Sequence, residues 1–118
     1  MTGEPEPVSE ERQRRVGHNE ALYRSLNERI EELNETFATV AGDFSVICEC
    51  GDLRCIEQIR IPQAVYEHAR ASSYRFIVKP GHEIDDVEDV VETHIEYVLV
   101  EKAPAASRRI AEETDPRH

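Results

Sequence analysis

The clearest hydrophobic pattern in the chain lies in residues 19–37, NEALYRSLNERIEELNETF. Large apolar residues recur there at spacings of four and three, which is the repeat of one face of an α-helix. The set runs just past this segment and comprises Leu22, Leu26, Ile30, Leu33, Phe37 and Val40. We therefore expect a long helix with Asn19 as its N-cap and this face packed on a sheet. Because the stripe is narrow and heptad-like, self-association through the helix is the alternative interpretation.

Four strand-like segments and a short helical one follow. FSVICEC (44–50) and IEQIRI (56–61) are rich in β-branched residues and flank a short loop, so they predict a hairpin. YRFIVKP (74–80) predicts a third strand, and VVETHIEYVLV (90–100) predicts a long fourth strand. PQAVYEHAR, which opens with Pro62, predicts a short helix because proline is favoured in a first helical turn. One long helix followed by mostly antiparallel strands is typical of an α+β fold.

Both ends of the chain are polar. Residues 1–17 and 103–118 contain prolines and many charges with few large apolar side chains, so we expect a disordered N-terminal tail and a flexible C-terminal tail. A single domain, residues 18–102, remains to build the core. A core of roughly 85 residues is marginal, and domains of this size often need a disulfide, a metal ion or a partner.

The charge of the chain excludes several classes of partner. A net charge of −11 and a pI of about 4.8 argue against binding to nucleic acid or to an anionic membrane surface. No apolar run approaches the ~20 residues of a membrane span, and the N-terminus has no apolar signal-peptide core. We therefore expect a cytoplasmic protein with reduced thiols.

Acidic residues are concentrated in residues 83–101, which contain no lysine or arginine. They are Glu83, Asp85, Asp86, Glu88, Asp89, Glu92, Glu96 and Glu101. A run of like charge is usually a solvated face. The alternative interpretation is an acidic surface that binds a basic partner protein.

All three cysteines fall within SVICECGDLRCIEQI, residues 45–59. Strand alternation places Cys48 and Cys50 on the same side of the chain. Gly51 permits a tight turn that brings Cys55 back toward them. Three thiolates can converge on one ion at about 2.3 Å per sulfur. The spacing therefore predicts a zinc-knuckle-like loop.

A tetrahedral site requires a fourth ligand, and His82 is the candidate. It follows the turn formed by Pro80 and Gly81 in VKPGHE, and a rigid turn loses little freedom on binding. His94, on the charged face of its predicted strand, is the second choice. We therefore predict a closed Cys3His structural site for Zn²⁺. Its ligands are Cys48, Cys50, Cys55 and His82.

Two other interpretations of the cysteines stay open. A disulfide is disfavoured because three is an odd number, the expected compartment is reducing, and a bridge across one intervening residue is strained. Free cysteines also pack in cores as small hydrophobic side chains. With the predicted metal loop, the expected architecture is one long N-terminal helix packed on a small, mostly antiparallel sheet of about four strands, with a zinc-knuckle-like loop.

Four segments, in order, carry a resemblance: NEALYRSLNERIEELNE, VICECGDLRCIEQIRIP, YRFIVKPGHE and IEYVLVEK. They resemble a small, largely uncharacterised bacterial family of the high-GC Gram-positive type, which shares a C-x-C-x4-C segment and a P-G-H-E turn. The resemblance covers about residues 11–117. It implies that Cys48, Cys50, Cys55 and His82 belong to one pattern, and it implies no substrate and no partner.

The sequence favours binding over catalysis. The deaminase order H-x-E with P-C-x-x-C is absent, as is H-E-x-x-H. A zinc-dependent hydrolase or deaminase with Glu83 as general base is therefore the least favoured function. We expect a small zinc-stabilised protein-interaction module that binds another protein through the acidic residues 83–101 or the helix 19–37. A thiol/zinc redox switch is the alternative, and it would require an exposed cysteine of low pKa. The pathway and the oligomeric state stay open.

Overall fold

The computed structural model describes residues 10–37, 43–52, 54–84, 87–103 and 105–117. Its elements are, in chain order, α1 (Glu10–Phe37), β1 (Asp43–Ile47), β2 (Gln58–Pro62), α2 (Gln63–Arg70), β3 (Arg75–Val78), β4 (Glu88–Thr93), β5 (Val98–Lys102) and α3 (Ala105–Glu113). The α+β class, the long N-terminal helix and the antiparallel strand pairing predicted from the sequence are confirmed.

The strands form two small antiparallel sheets. β1 and β2 form a hairpin in which Phe44 lies opposite Ile61. In the three-stranded sheet, β5 lies between β3 and β4. The register of β4 against β5 shifts between Val90 and Glu92, which marks a β-bulge in this edge strand. Bulges of this kind discourage an edge strand from pairing with other chains.

The residues that follow β1 join the two sheets. The Glu49 backbone N–H donates to the carbonyl of Ile77 in β3 at 2.9 Å, and the Ile77 N–H donates to Oε1 of Glu49 at 3.0 Å. The Lys79 N–H, just beyond β3, donates to Sγ of Cys48 at 3.2 Å. The cysteine segment therefore lies inside the fold, between the hairpin and the edge of the larger sheet.

The hydrophobic core lies between the two sheets and the shorter helices. Its large side chains are Phe44, Val46, Ile59, Ile61, Tyr66, Phe76, Ile77, Val78, Val98, Leu99 and Val100. The Phe44 and Tyr66 rings meet edge to face, with their centroids 5.8 Å apart, which is a favoured aromatic geometry. The three cysteines belong to the same buried cluster.

Helix α1 buries the face opposite to the one that its hydrophobic pattern predicts. Its buried residues are Glu20, Ala21, Tyr23, Arg24, Asn27 and Glu31. By contrast, Leu22, Leu26 and Leu33 expose 51%, 42% and 57% of their surface, and Ile30 is half-buried. The Phe37 side chain and Val40 lie outside the described residues. The prediction that the apolar face of α1 is buried is therefore wrong.

Asn27 shows why a polar face of α1 can be buried. Its amide nitrogen donates to the carbonyl of Ile47 and to Oε2 of Glu49, both at 2.8 Å. Its amide oxygen accepts from the Ile47 N–H at 2.7 Å. The Asn27 side chain therefore pairs with the end of β1 as a neighbouring strand would, and it satisfies groups that would be costly to bury unpaired.

Arg24 makes a second set of polar contacts across the same interface. Its guanidinium donates to the carbonyl of Ser73 at 2.6 Å and to that of Ala111 in α3 at 2.7 Å. It also lies over the Phe76 ring, 4.6 Å from the ring centroid, within the range of a cation–π contact. Directional contacts of this kind fix the rotation of α1 about its own axis, which an apolar stripe specifies less strictly.

The predicted long strand at residues 90–100 is a hairpin. β4 ends at Thr93, β5 begins at Val98, and the chain turns between them. The His94 N–H donates to the carbonyl of Tyr97 at 2.9 Å, and the two rings stack with centroids 4.3 Å apart. Ile95, at the tip, is 98% exposed. The sequence THIEY carries no glycine, proline or asparagine, so it lacks the usual turn signal.

Both predicted tails contain ordered structure. α1 begins at Glu10, so residues 10–17 are helical, whereas residues 1–9 lie outside the described residues. Residues 105–113 form α3. The guanidinium of Arg117 forms ion pairs with Glu28, Glu31 and Glu67 at 2.6–2.9 Å. Helical structure therefore extends beyond the predicted domain limits of residues 18 and 102. The ion pairs of Arg117 connect the last described residues to α1 and α2.

A buried charge cluster lies where α1 crosses the larger sheet. Nζ of Lys102 lies 2.8 Å from Oε1 of Glu20 and 3.3 Å from Oε2 of Glu88, and all three side chains are almost fully buried. Burial raises the pKa of Glu20 to about 8, and Lys102 opposes this shift. One ammonium group cannot neutralise two buried carboxylates, so Glu20 keeps its proton in the folded state near neutral pH.

We expect the ionisation of Glu20 to lower the free energy of unfolding as the pH rises from 5 to 8, an effect measured as the difference between the wild type and Glu20→Gln. In the unfolded chain Glu20 ionises near its ordinary pKa of 4.5, whereas in the folded protein it holds its proton until about pH 8. The folded state therefore binds more protons across this interval. This one group lowers stability by up to about 1.4 kcal/mol per pH unit. Urea unfolding at pH 5 and pH 8 measures the difference.

Glu20→Gln keeps the shape of the side chain and removes the titration, so between pH 5 and pH 8 its free energy of unfolding should fall less, or rise more, than that of the wild type. Glu32→Gln, at an exposed position of the same helix, serves as the control and should retain the wild-type slope. Equal slopes for wild type and Glu20→Gln would show that Glu20 is already ionised at pH 5.

Candidate metal centre

The structure brings the four predicted ligand residues together. One donor atom from each of Cys48, Cys50, Cys55 and His82 lies within 4.8 Å of the other three. Among the residues described, these four form the only group of this kind built from cysteine, histidine and carboxylate side chains. The cysteines expose 0%, 4% and 9% of their surface, in chain order. The four residues could therefore hold one metal ion in a largely buried position.

Backbone hydrogen bonds hold the cysteine loop in shape. The Cys48 N–H donates to the carbonyl of Glu57 at 2.9 Å, which extends the β1–β2 pairing by one step. The Cys55 N–H donates to the carbonyl of Asp52 at 2.9 Å and closes a tight turn. Gly51 has a φ of +82°, in the left-handed region that favours glycine. This turn returns Cys55 to the same side as Cys48 and Cys50, as the sequence predicted.

His82 completes the group through Nδ1. This atom lies 3.5 Å from Sγ of Cys48 and 3.6 Å from Sγ of Cys55. The His82 N–H donates to the carbonyl of Lys79 at 2.9 Å, and Gly81 has a φ of +89°, so the turn after β3 aims the imidazole at the sulfurs. These sulfur–nitrogen distances are compatible with ligands that share one tetrahedral ion.

His94, the second choice for the fourth ligand, lies elsewhere. Its Nε2 is 2.9 Å from Oε1 of Glu92, and its ring stacks on Tyr97 at the exposed end of the β4–β5 hairpin. It is not a member of the four-residue group. The geometry therefore selects His82 as the histidine that could join the three cysteines in binding a metal.

Glu57 and Lys79 support the group, and sequence analysis missed both. Nε2 of His82 lies 3.0 Å from Oε2 of Glu57. A carboxylate on the far nitrogen of a ligating histidine fixes the ring orientation and increases its basicity. The Lys79 N–H donates to Sγ of Cys48 at 3.2 Å, which stabilises a thiolate. Both contacts depend on strand pairing, so neither has a signal in the local sequence.

The three thiols share their protons unevenly. A hydrogen bond from Cys48 lowers the pKa of Cys50 to about 5, and contacts with Asp52 and His82 act in the same direction against the effect of burial. The same hydrogen bond, together with burial, raises the pKa of Cys48, and burial raises that of Cys55. Three thiolates this close together would repel one another without a cation between them. Binding of a metal ion would therefore displace the remaining thiol protons.

Helix α1 forms one wall of the centre. Nδ2 of Asn19 donates to the carbonyl of Gly51 at 2.9 Å. A Cβ atom at Gly51 would lie only 2.9 Å from the Val16 side chain, so glycine is also required here for the close approach of the helix. A cleft of about 710 Å³ runs between this wall and the Gly81 turn, past Cys50 and His82. The shape of the loop and the position of α1 therefore depend on one another.

Glu83 is the residue that a zinc enzyme would use here as its general base. Its Oε1 accepts a hydrogen bond from the Gly81 N–H at 2.7 Å, within its own turn. The three sulfurs and Nδ1 of His82 also supply all four donors of a tetrahedral ion. A catalytic zinc site keeps one coordination position for water or substrate. An ion held by all four of these donor atoms would have no such open position.

No protein-family model matches the chain, and neither the curated proteins nor the solved structures contain a match to it. The resemblance to a bacterial family therefore stays a prediction. Within the described part of the chain, none of the helices combines the length and the apolar character that a membrane crossing requires. The interpretation of the site rests on its geometry.

We expect His82→Ala to lose bound zinc to a mild chelator well before the wild type does. Three thiolates retain most of the affinity, and water would take the fourth position. His94→Ala is the matched control, because it removes an imidazole outside the group, and it should behave as the wild type. Zinc release followed with a colorimetric chelator provides the measurement. Faster release from His94→Ala than from His82→Ala would contradict the ligand assignment.

Glu57→Gln tests the outer contact to the histidine. Loss of the carboxylate beside Nε2 should weaken zinc binding by about tenfold, the lower end of the range for partners of ligating histidines. Glu83→Gln changes a carboxylate of the neighbouring turn that bonds Gly81 instead, so its affinity for zinc should be unchanged. Competition titration with a chelator of known affinity compares the two variants. Equal zinc affinities of Glu57→Gln and Glu83→Gln would show that Glu57 does not contribute to metal binding.

Proposed function

We propose that the protein is a small zinc-stabilised protein-interaction module. The observation that carries the proposal is the convergence of three cysteine sulfurs and one histidine nitrogen within 4.8 Å. The group lies where the β1–β2 hairpin, the edge of the larger sheet and α1 meet. An ion at this position would link all three parts of a small core.

The donor set favours zinc over other common ions. Thiolate and imidazole ligands suit Zn²⁺, whereas calcium and magnesium prefer oxygen ligands. Cys3His is one of the usual sets of closed structural zinc sites. The carboxylate on the far nitrogen of His82 adds the outer contact that such histidines usually have.

A thiol/zinc redox switch is the second candidate. One observation favours it, since Cys50 lines the cleft and has a lowered pKa. However, Cys50 exposes only 4% of its surface, and Cys48 is completely buried. An oxidant reaches buried thiolates slowly. The burial therefore favours a structural role for the ion.

The docking surface that we favour is the exposed apolar face of α1. Leu22, Leu26 and Leu33 lie on it, and clustered exposed leucines are more typical of an interaction site than of a solvated helix. The acidic residues 83–101 are a weaker candidate. Glu88 pairs with a buried lysine, and Glu101 pairs with two arginines. Two of the eight acidic residues are therefore paired with basic side chains of the same chain.

We expect protein purified without added metal to carry about one zinc ion per chain and to lose its folded structure when the ion is removed. Binding free energies of structural zinc are on the order of 10 kcal/mol, which is comparable with the total stability of a small domain. Cys50→Ser should therefore unfold or melt at a much lower temperature. Elemental analysis and circular dichroism melts provide the measurements.

Ile56→Ser is a suitable control for this variant. It introduces the same residue type beside Cys55, at a side chain that is 79% exposed, and it should leave the zinc content and the melting temperature nearly unchanged. A folded, reduced protein without metal would refute the structural site, as would a Cys50→Ser variant that melts with the wild type.

A further inference from the structure

An apolar strip runs along the outer side of α1. Leu22, Leu26 and Leu33 are all about half exposed, and their spacings of four and seven place them along one side of the helix. We call these three residues the leucine face. α1 presents its opposite side to β1 and α3, so among the described residues no element packs over the leucine face.

Among the described side chains, the exposed charges of α1 nearly balance, although the chain has a net charge of −11. The exposed charged side chains described on α1 are Glu11, Arg14, Arg15, Arg29 and Glu32. Three of them are basic and two are acidic. Two copies of a strongly acidic protein repel one another over most of their surface, and this helix face is a place where they could meet without that cost.

The positions of Arg14 and Glu32 indicate how two such faces would pair. These residues are 18 apart, which is about five helical turns, so they lie on the same flank of the helix. The midpoint between them falls at residue 23, and the midpoint between Leu22 and Leu26 falls at residue 24. Charges of opposite sign therefore lie at nearly equal distances on either side of the central pair of leucines.

An antiparallel pair of helices uses this symmetry. With Leu22 of one copy beside Leu26 of the other, four leucines meet at the two-fold axis, and Arg14 of each copy lies beside Glu32 of its partner. In a parallel two-fold pair the same flank of each helix lies on the opposite side of the contact, so Arg14 and Glu32 would lose this pairing. Closed two-fold symmetry of this kind is the commonest arrangement of protein dimers.

We propose that the leucine face binds the leucine face of a second copy of the chain, with the two α1 helices antiparallel. The proposal rests on the proposed function. It assigns the docking surface of the interaction module to a contact between two copies of the chain. The first nine residues of the chain offer only Met1 and Val8 as large apolar side chains, so they make a poor alternative cover for three leucines.

Sedimentation velocity of the zinc-loaded full chain over a range of concentrations tests the proposal. The wild type should shift from monomer to dimer as concentration rises. Leu22→Gln combined with Leu26→Gln should raise the dimer dissociation constant on the order of a hundredfold, because these leucines form the centre of the contact. Ile95→Gln, which changes a 98% exposed side chain on the distant hairpin, should leave the dissociation constant unchanged.

Charge reversal tests the antiparallel arrangement. Arg14→Glu and Glu32→Arg should each weaken the dimer by about threefold, as expected of exposed ion pairs. Combining them in one chain restores opposite charges in the antiparallel pair, so the double variant should recover the wild-type constant. In a parallel pair Arg14 and Glu32 do not face one another. Single variants that leave the dimer unweakened, or a double variant that does not recover the wild-type constant, would overturn the proposed arrangement.

The outcomes separate this proposal from the zinc site. A monomer at all concentrations, with one zinc ion per chain and a normal melt, would refute self-association and leave the metal-stabilised module intact. A dimer that the leucine substitutions do not weaken would place the contact elsewhere and also refute the proposal. Because the substituted leucines are exposed, melts of the variants should match the wild type, and a lowered melt would show that the leucines are structural.

Discussion

The short extension of β1 that contains Cys48, Glu49 and Cys50 contacts α1, β3 and His82 at once. Its two cysteines carry their sulfurs to one side, toward His82. The carboxylate of Glu49 lies between Asn27 of α1 and the backbone of Ile77 in β3. Because side chains alternate along a strand, Cys48 and Cys50 point toward the candidate metal site. Glu49, between them, points toward the junction of α1 with the two sheets.

The buried carboxylate of Glu49 depends on hydrogen-bond partners that this junction holds in place. Desolvation raises its pKa to about 7, although the hydrogen bonds from Asn27 and Ile77 stabilise the charge. Such a residue is tolerated only where its partners are held in place. The hydrogen bond from Asn19 to Gly51 fixes α1 on the other side of the same loop. A bound ion that orders the loop would thus also order the place where α1 packs.

The sequence predicted well that these four residues come together, because most of the geometry is local. Cys48, Cys50, Gly51 and Cys55 lie within one turn, and the rigidity of the turn at Gly81 pointed to His82. Glu57 was missed because its distance from His82 depends on the contacts that join the β1–β2 hairpin to β3. The face of α1 was mispredicted for a related reason. A hydrophobic pattern cannot show that Arg24 and Asn27 find carbonyl and carboxylate partners far away in the chain. The hairpin at residues 94–97 was missed because ring stacking and one backbone hydrogen bond replace the usual glycine.

The polar interface of α1 also explains why its leucines lie outside. A helix that packed through Leu22, Leu26 and Leu33 would gain more from hydrophobic burial, but it could rotate or slide with little change in contacts. Asn27 and Arg24 instead accept only one rotation of the helix, since each must meet backbone groups at hydrogen-bond distance. The same rotation directs the leucines away from the core. Specific packing within the chain and an apolar outer surface on α1 are therefore two consequences of one arrangement, in which polar contacts determine how the helix packs and leave its leucines on the outside.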